Sequence, residues 1–246
     1  MNQLFSRKGL ILSVLIVVLA SALMYGPQKQ EAPSVQTQNL NALSIEQQNT
    51  IYVPFNRELD KSERLLPGDY DKLLKSFYES GADVPNQSLR DQLAKVKFIL
   101  FSGQDPALLQ YCTNVISIEF FKQFPKISLI NHFPKLQYLS LDRTGLKSLA
   151  SVAHFKQLKS LIIHQESKLS DISGITAFPL LVHLKLTGLD TLKHIDPIGN
   201  VPLLTHLWLD DIPHLSNINT IASLKRLEHL YLRCKNINSI QPLSNL

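Results

Sequence analysis

Cysteine and tryptophan are scarce in the sequence. Its 246 residues include two cysteines, Cys112 and Cys234, and one tryptophan, Trp208. It also lacks a glycine-rich phosphate loop, a nucleophile elbow and a Cys/His set at metal-ligand spacing. These absences predict a protein that has no catalytic residues, is not an enzyme and uses neither a metal nor another cofactor.

The sequence also has no large excess of positive or negative charge. The formal net charge is +5, and leaving out Arg7 and Lys8 lowers it to about +3 for the rest of the chain. The sequence contains no run of basic residues. Such a mild balance does not favour a nucleic-acid partner.

A leucine pattern of the form LxxLxL occurs six times towards the end of the chain. Its first positions are 21, 22, 23, 23 and 23 residues apart, at Val115, Leu136, Leu158, Leu181, Leu204 and Leu227. A period of this length is typical of a solenoid. The apolar spacing then changes to three, which predicts loose or 3₁₀ helix, as at Leu192, Ile195, Ile198 and Val201. Each repeat is expected to form one strand and one return arm, packed against the neighbouring coils.

The final repeat, LEHLYLRCKNINSIQPLSNL from Leu227 to Leu246, resembles the leucine-rich repeat family, and its bacterial internalin-like type in particular. The resemblance covers about half of the chain. It implies an α/β solenoid with a parallel β-sheet on the concave side and loops or 3₁₀ helix on the convex side. It also implies that the concave strand face binds another macromolecule, by analogy with the scaffold.

One position departs from the family pattern. The third residue after the third core leucine is usually Asn, Cys or Thr in this family, and its side chain satisfies inward-facing backbone groups. Five repeats here carry Thr144, Glu166, Leu189, Ile212 and Lys235, and three middle repeats have one extra residue at that point. We therefore expect an irregular ascending loop and no regular asparagine ladder.

Residues 1–26 are predicted to be a targeting segment. Arg7 and Lys8 precede an apolar run of 17 residues, 9–25, which favours a cytoplasmic N-terminus and export of the remainder. Two outcomes are open: a signal anchor that stays in the membrane through residues 9–25, or a signal peptide cleaved near Ala22, followed by secretion. Both outcomes predict an extracytoplasmic protein.

The remaining chain divides by composition. Residues 27–50, rich in Gln, Asn, Ser, Pro and Ala, predict a disordered linker. Residues 51–112 predict a helical N-terminal cap, with one apolar stripe at Tyr70, Leu73, Leu74 and Phe77 and another at Leu89, Leu93, Val96, Ile99 and Leu100. Six repeats then fill residues 113–246 without a C-terminal cap. Five coil steps of ~4.8 Å would separate the two cysteines, so no disulfide is predicted.

Alternation along each strand predicts which side chains face the concave side, because the second and third core leucines point inward. The candidate partner-binding residues come from these outward columns: Tyr138, His183, Lys185, His206, Trp208, Asp210, His229, Tyr231 and Arg233. Trp208 and Tyr231 fall side by side near charged residues, as at many interface centres. The three histidines form a ladder whose parallel rungs do not converge as metal ligands must, so no metal site is predicted.

The predicted function is protein binding outside the cytoplasm, on the concave strand face. Binding of a glycan or of the cell wall is an alternative, in which Trp208 and Tyr231 would stack on sugar rings. A further alternative is a purely structural fragment of a longer repeat array. Membrane contact is expected only through the N-terminal segment.

Overall fold

A computed structural model describes residues 13–16, 61–123 and 133–246 of the chain. Its core is one sheet of nine parallel strands in the spatial order β1-β9-β8-β7-β6-β5-β4-β3-β2. The strands are β1 (Ser13–Ile16), β2 (Arg64–Leu65), β3 (Phe98–Phe101), β4 (Ser117–Phe121), β5 (Tyr138–Asp142), β6 (Ser160–His164), β7 (His183–Thr187), β8 (His206–Asp210) and β9 (His229–Arg233). Strands β4 to β9 coincide with the six predicted LxxLxL cores.

The return arms are 3₁₀ helices, as the apolar spacing of three predicts. They follow the strands in chain order at Leu149–Val152, Ser173–Ala177, Asp196–Asn200, Asn219–Ser223 and Gln241–Asn245. Ile198 and Ile221, each at the centre of an arm, are fully buried. One strand and one arm per repeat produce the leucine-rich repeat solenoid, and that predicted fold is confirmed.

The inward leucines of successive coils form a single continuous core. Leu161, Leu184 and Leu207 lie opposite one another on neighbouring strands, and each is at most 1% exposed. A coil has no apolar layer of its own to close this core, so every repeat depends on the coils beside it. The burial of these leucines confirms the predicted inward positions, whereas three of the predicted outward residues, Ser117, Ser160 and Asp210, are buried as well.

The loops after β4 to β8 differ in length between repeats but share one feature at their first residue. The residue after each of five strands has a positive φ, at Lys122, Arg143, Gln165, Gly188 and Asp211. Its backbone N–H donates to the last carbonyl of the next strand, for example from Arg143 N to His164 O at 3.0 Å and from Asp211 N to Arg233 O at 2.9 Å. This hydrogen bond repeats from coil to coil and offsets the cost of the left-handed conformation in the four residues that are not glycine.

The asparagine ladder is absent from the described coils, and a buried carboxylate takes its place in one of them. Glu166 is 0% exposed. Its Oε1 accepts from Thr144 N and Thr144 Oγ1, both at 2.6 Å, and its Oε2 accepts from Gly145 N at 2.8 Å and Leu146 N at 3.0 Å. Leu189 and Ile212 occupy the same position in later coils and are fully buried in the apolar core.

The segment before the repeats is less helical than the sequence predicts. Helix α1 (Pro67–Glu79) and helix α2 (Gln87–Ala94) are present, and the stripe that contains Tyr70, Leu74 and Phe77 is buried. The second predicted stripe is wrong in its later half, because Ile99 and Leu100 lie in strand β3 and pair with Ile118 and Glu119. Residues 51–60 of the predicted cap lie outside the described residues.

The N-terminal segment is described only at β1. Ser13 lies opposite His229 and Ile16 opposite Leu232, so β1 runs parallel to β9 at the edge of the sheet. The remainder of the predicted anchor at 9–25, and the whole predicted linker at 27–50, lie outside the described residues. No helix among the described ranges combines the length and apolar character needed to cross a membrane.

Both cysteines are buried and free. Cys112 and Cys234 lie in the apolar core, at opposite ends of the row of coils, as the repeat arithmetic predicts. Burial raises the pKa of the Cys112 thiol to about 12 and that of Cys234 to about 11. At neutral pH both thiols are protonated, so neither is a ready nucleophile or metal ligand.

Candidate functional site

Eight of the nine candidate residues meet on the concave face of β7, β8 and β9, which we call the C-terminal concave face. The strand register places them in three columns. The first column contains His183, His206 and His229; the second contains Lys185, Trp208 and Tyr231; the third contains Asp210 and Arg233. Tyr138 is not part of this group, because β6 separates it from β7.

The middle column is a stack of two rings and a cation. The Trp208 and Tyr231 ring centroids are 3.7 Å apart with an interplanar angle of 13°. On the other side, Lys185 Nζ lies 4.7 Å from the centre of the Trp208 ring. Partial burial lowers the pKa of Lys185, although the charge of Asp210 opposes that shift. The indole is therefore covered on both faces, and its Nε1 atom is buried.

The histidine rings are also in contact, with an interplanar angle of 50° between His183 and His206 and of 26° between His206 and His229. The ring centroids of His183 and His206 are 4.4 Å apart, and those of His206 and His229 are 4.3 Å apart. Thr205 Oγ1 donates to Val182 O at 3.1 Å and lies 2.8 Å from His206 Nδ1. Since the hydroxyl has a single hydrogen, Nδ1 of neutral His206 is the donor in this contact, and Nε2 is left as an acceptor.

The third column holds an ion pair of bidentate geometry. Arg233 Nε donates to Asp210 Oδ1 at 2.5 Å, and Arg233 Nη2 donates to Asp210 Oδ2 at 2.8 Å. Asp210 is buried whereas Arg233 is exposed. The hydrogen bonds that Asp210 accepts, together with its negative charge, raise the pKa of the Arg233 guanidinium above its ordinary value. The pair fixes the guanidinium plane at the margin of the face.

The histidine column makes the fold sensitive to acid. Burial, and then the charges of His183 and His229, lower the pKa of His206 to about 4 from 6.5; burial also lowers that of His183. Between about pH 4 and pH 6.5, His206 binds more protons in the unfolded chain than in the folded chain. The contribution of His206 to the free energy of unfolding is therefore fully present above about pH 6.5 and is lost as the pH falls towards 4.

This acid sensitivity can be measured as the fall in Tm between about pH 7.5 and about pH 5. We expect His206→Gln to show a clearly smaller fall than the parent. His214 is exposed, so His214→Gln should behave as the parent does. An equal fall in Tm in all three proteins would show that His206 is not the source of the acid sensitivity.

A second cluster occupies the opposite half of the concave face and was not predicted from the sequence. The Arg143 guanidinium lies 4.6 Å from the Phe121 ring centre, and Lys122 Nζ lies 5.1 Å from it. Asp142 accepts from Arg143 Nε at 2.8 Å. Burial, and then the charge of Asp142, raise the pKa of Glu119. Arg143 and Lys122 follow the strands, so strand alternation alone could not place them here.

The described residues contain no group of three or more His, Cys, Asp or Glu side chains able to hold a metal ion. The three histidines lie in register on neighbouring parallel strands, whereas the ligands of one ion must converge on a point.

Comparison with solved structures finds leucine-rich repeat proteins. Internalin C2 of Listeria monocytogenes is 22% identical, with 64% of this chain and 80% of that chain covered and a TM-score of 0.47. The repeat domain of the type III effector XopL is 20% identical, with 78% and 81% covered and a TM-score of 0.48. A repeat protein of Leptospira interrogans is 17% identical, with 68% and 51% covered and a TM-score of 0.43, so this chain spans about half of its length.

No family model matches the sequence, and no similar sequence is found among curated proteins. At these identities the likeness concerns the fold alone. The repeat period, the parallel register and the 3₁₀ arms identify that fold independently of any relative.

Proposed function

We propose that this chain, a leucine-rich repeat protein by its fold, binds a protein partner on the C-terminal concave face and performs no catalysis itself. The observation that carries the proposal is the stack of Lys185, Trp208 and Tyr231 between the histidine column and the Asp210–Arg233 pair. Tryptophan, tyrosine and arginine dominate the binding energy of protein interfaces. Their side chains are already held in place here, so little conformational entropy is lost on binding.

The geometry of the stack favours a protein partner over a sugar. A sugar ring stacks on an open aromatic face, but Tyr231 and Lys185 cover the two faces of Trp208. A partner on this face would contact the imidazoles and the Asp210–Arg233 pair that surround the stack. These groups suit hydrogen bonds and charge contacts with backbone and side-chain atoms of a protein.

Affinity capture from the envelope and surroundings of the producing cells tests this proposal. The full chain is the bait, beside a Trp208→Ala, Tyr231→Ala double variant, with mass spectrometry as the readout. We expect the parent to retain one or more proteins and the variant to retain at least tenfold less of them. Truncation of aromatic residues at the centre of an interface can weaken the free energy of binding by more than ~1.4 kcal/mol.

The matched control for this capture is Tyr78→Ala. Tyr78 is an aromatic side chain that is 55% exposed on helix α1, away from the C-terminal concave face. The control should retain the same proteins as the parent. Identical profiles from the parent and the double variant, with both folded by circular dichroism, would contradict the proposal.

We further propose that the protein works outside the cytoplasm, held to the membrane by residues 9–25; cleavage near Ala22 is the alternative. The support is the arrangement of Arg7 and Lys8 before the apolar run. A segment inserted in a membrane cannot also pair with β9 as β1 does.

Washing cell membranes with alkaline carbonate separates an anchored chain from one that is not anchored. An anchored chain stays in the pellet at full length, and a full-length chain in the supernatant would contradict the anchor.

A further inference from the structure

Glu119 is an acidic residue in the half of the concave face away from β8 and β9. It lies at the centre of strand β4, between Ile118 and Phe120, which point inward and are 0% and 1% exposed. Glu119 itself points to the concave side and is half-buried. The residues opposite it on the neighbouring strands are Leu100 on β3 and Ser140 on β5. Neither of these side chains carries a charge that could balance the carboxylate.

The carboxylate of Glu119 differs from its neighbour Asp142 in having no positive partner. Asp142 accepts a hydrogen bond from Arg143 Nε at 2.8 Å, and its Oδ1 lies 3.4 Å from His164 Nδ1. Among the residues that the structure describes, Glu119 makes no hydrogen bond or ion pair. A half-buried carboxylate with neither is poorly solvated in the folded chain.

The cations of the cluster around Phe121 are held in other contacts. The Arg143 guanidinium is bound to Asp142 and lies 4.6 Å from the centre of the Phe121 ring. Lys122 Nζ lies 5.1 Å from the centre of the same ring. Lys122 is also three residues beyond Glu119, which separates the two backbone positions by roughly 10 Å along the strand. The cluster therefore leaves the charge of Glu119 uncompensated.

This charge restricts what can cover the concave face. Strand β4 is four strand spacings from β8, or ~19 Å, whereas an interface of about 800 Å² per partner is roughly 28 Å across. A partner on the C-terminal concave face therefore extends to Glu119 and removes the remaining water from its carboxylate. That loss of water is unfavourable unless the partner supplies a cation, which then forms a charge-assisted hydrogen bond.

We propose that Glu119 selects a protein partner that places a lysine or arginine side chain against strand β4. The inference rests on the proposed function, because it names the chemistry of the partner that the concave face binds. Partners without a basic side chain at this point are disfavoured by the buried carboxylate, which is how one charged group gives specificity. The formal net charge of the chain is +5, so attraction at long range does not produce this preference.

Selection from a phage-displayed library of random peptides, with the full chain as the target and sequencing as the readout, tests this preference. Peptides of about 12 residues span about 40 Å when extended, enough to reach from β8 to β4. We expect the parent to enrich peptides that contain lysine or arginine, and Glu119→Gln to lose that enrichment. The most enriched basic peptide should bind Glu119→Gln roughly tenfold more weakly than the parent, because a charge-assisted hydrogen bond is lost.

The matched control is Glu79→Gln, which removes an equal charge from an exposed glutamate whose carboxylate lies 3.7 Å from Lys75 Nζ. It should enrich the same basic peptides as the parent. The Tm of each variant adds a readout that a purely structural role would change. Glu119→Gln should unfold at or above the Tm of the parent, because it removes a poorly solvated charge that makes no internal hydrogen bond. A clearly lower Tm would show a structural role and overturn the proposal.

The same selection on the Trp208→Ala, Tyr231→Ala variant separates this inference from the proposed function. Peptides that the parent retains and this variant loses, without enrichment of lysine or arginine, would overturn the role of Glu119 and leave the C-terminal concave face as the binding site. Basic peptides that depend on Glu119 but not on the two aromatic residues would support Glu119 and contradict that site. Equal enrichment by the parent and Glu119→Gln, or no enrichment by the parent, would overturn the proposal.

Discussion

Replacing Leu207 with aspartate is expected to abolish the cooperative unfolding transition of the repeat array. Leu207 is 1% exposed and lies on β8 between Leu184 and Leu230. Truncation of a buried leucine alone costs roughly 2–5 kcal/mol, and an unpaired carboxylate adds a desolvation penalty. Because whole domains are stable by only about 5–15 kcal/mol, the sum removes most of the stability. Denaturant unfolding followed by circular dichroism measures the effect.

The control for this prediction is Tyr138→Asp, which introduces the same carboxylate on the outward side of β5. Tyr138 is half-buried on the concave side, where water can solvate the charge. We expect it to lose clearly less stability than Leu207→Asp, because the new carboxylate stays in contact with water. Similar losses in the two variants would contradict the assignment of inward and outward strand positions.

The second large effect is expected from Glu166→Ala. The substitution leaves the backbone N–H groups of Thr144, Gly145 and Leu146 without their carboxylate acceptor. Each unsatisfied buried donor costs about 1–3 kcal/mol, and relief of a buried charge offsets part of the sum. We expect a loss of about 2–4 kcal/mol in the free energy of unfolding, measured by denaturant titration.

Two companion variants separate the hydrogen bonds from the charge. Glu166→Gln keeps one acceptor oxygen and should lose less than the alanine variant. Glu79→Ala removes an exposed glutamate, whose carboxylate is 3.7 Å from Lys75 Nζ, and should change stability by no more than about 0.5 kcal/mol. A Glu166→Ala protein as stable as the Glu79→Ala protein would show that other groups, including water, satisfy the loop.

The sequence predicts the repeat array well because one rule decides it. A leucine at every second and third core position can be buried only if successive strands pair in parallel, so period and alternation determine which residues share a column. His183, His206 and His229 are therefore placed correctly without knowledge of side-chain conformation. The stacking of Trp208 on Tyr231 adds detail that depends on rotamers, which a spacing rule does not contain.

The departures arise where two structural solutions suit one sequence. Ile99 and Leu100 continue the helical spacing of the preceding residues, yet pairing with β4 is available to them and places Ile99 in the sheet core. The loop position held by Glu166 carries an unusual residue type for this place. In space, its two carboxylate oxygens accept from backbone N–H groups of the preceding coil, a role that the residue type alone does not reveal.

The most direct test of the central claim is photo-crosslinking from a single position on the full chain in producing cells. A benzophenone amino acid at Tyr231, in the middle column of the C-terminal concave face, is compared with the same residue at Lys193, which is exposed on the loop after β7. We predict a crosslink from position 231 to the protein that affinity capture retains, and none from position 193. A crosslink to that protein from position 193 alone would contradict binding on the concave face.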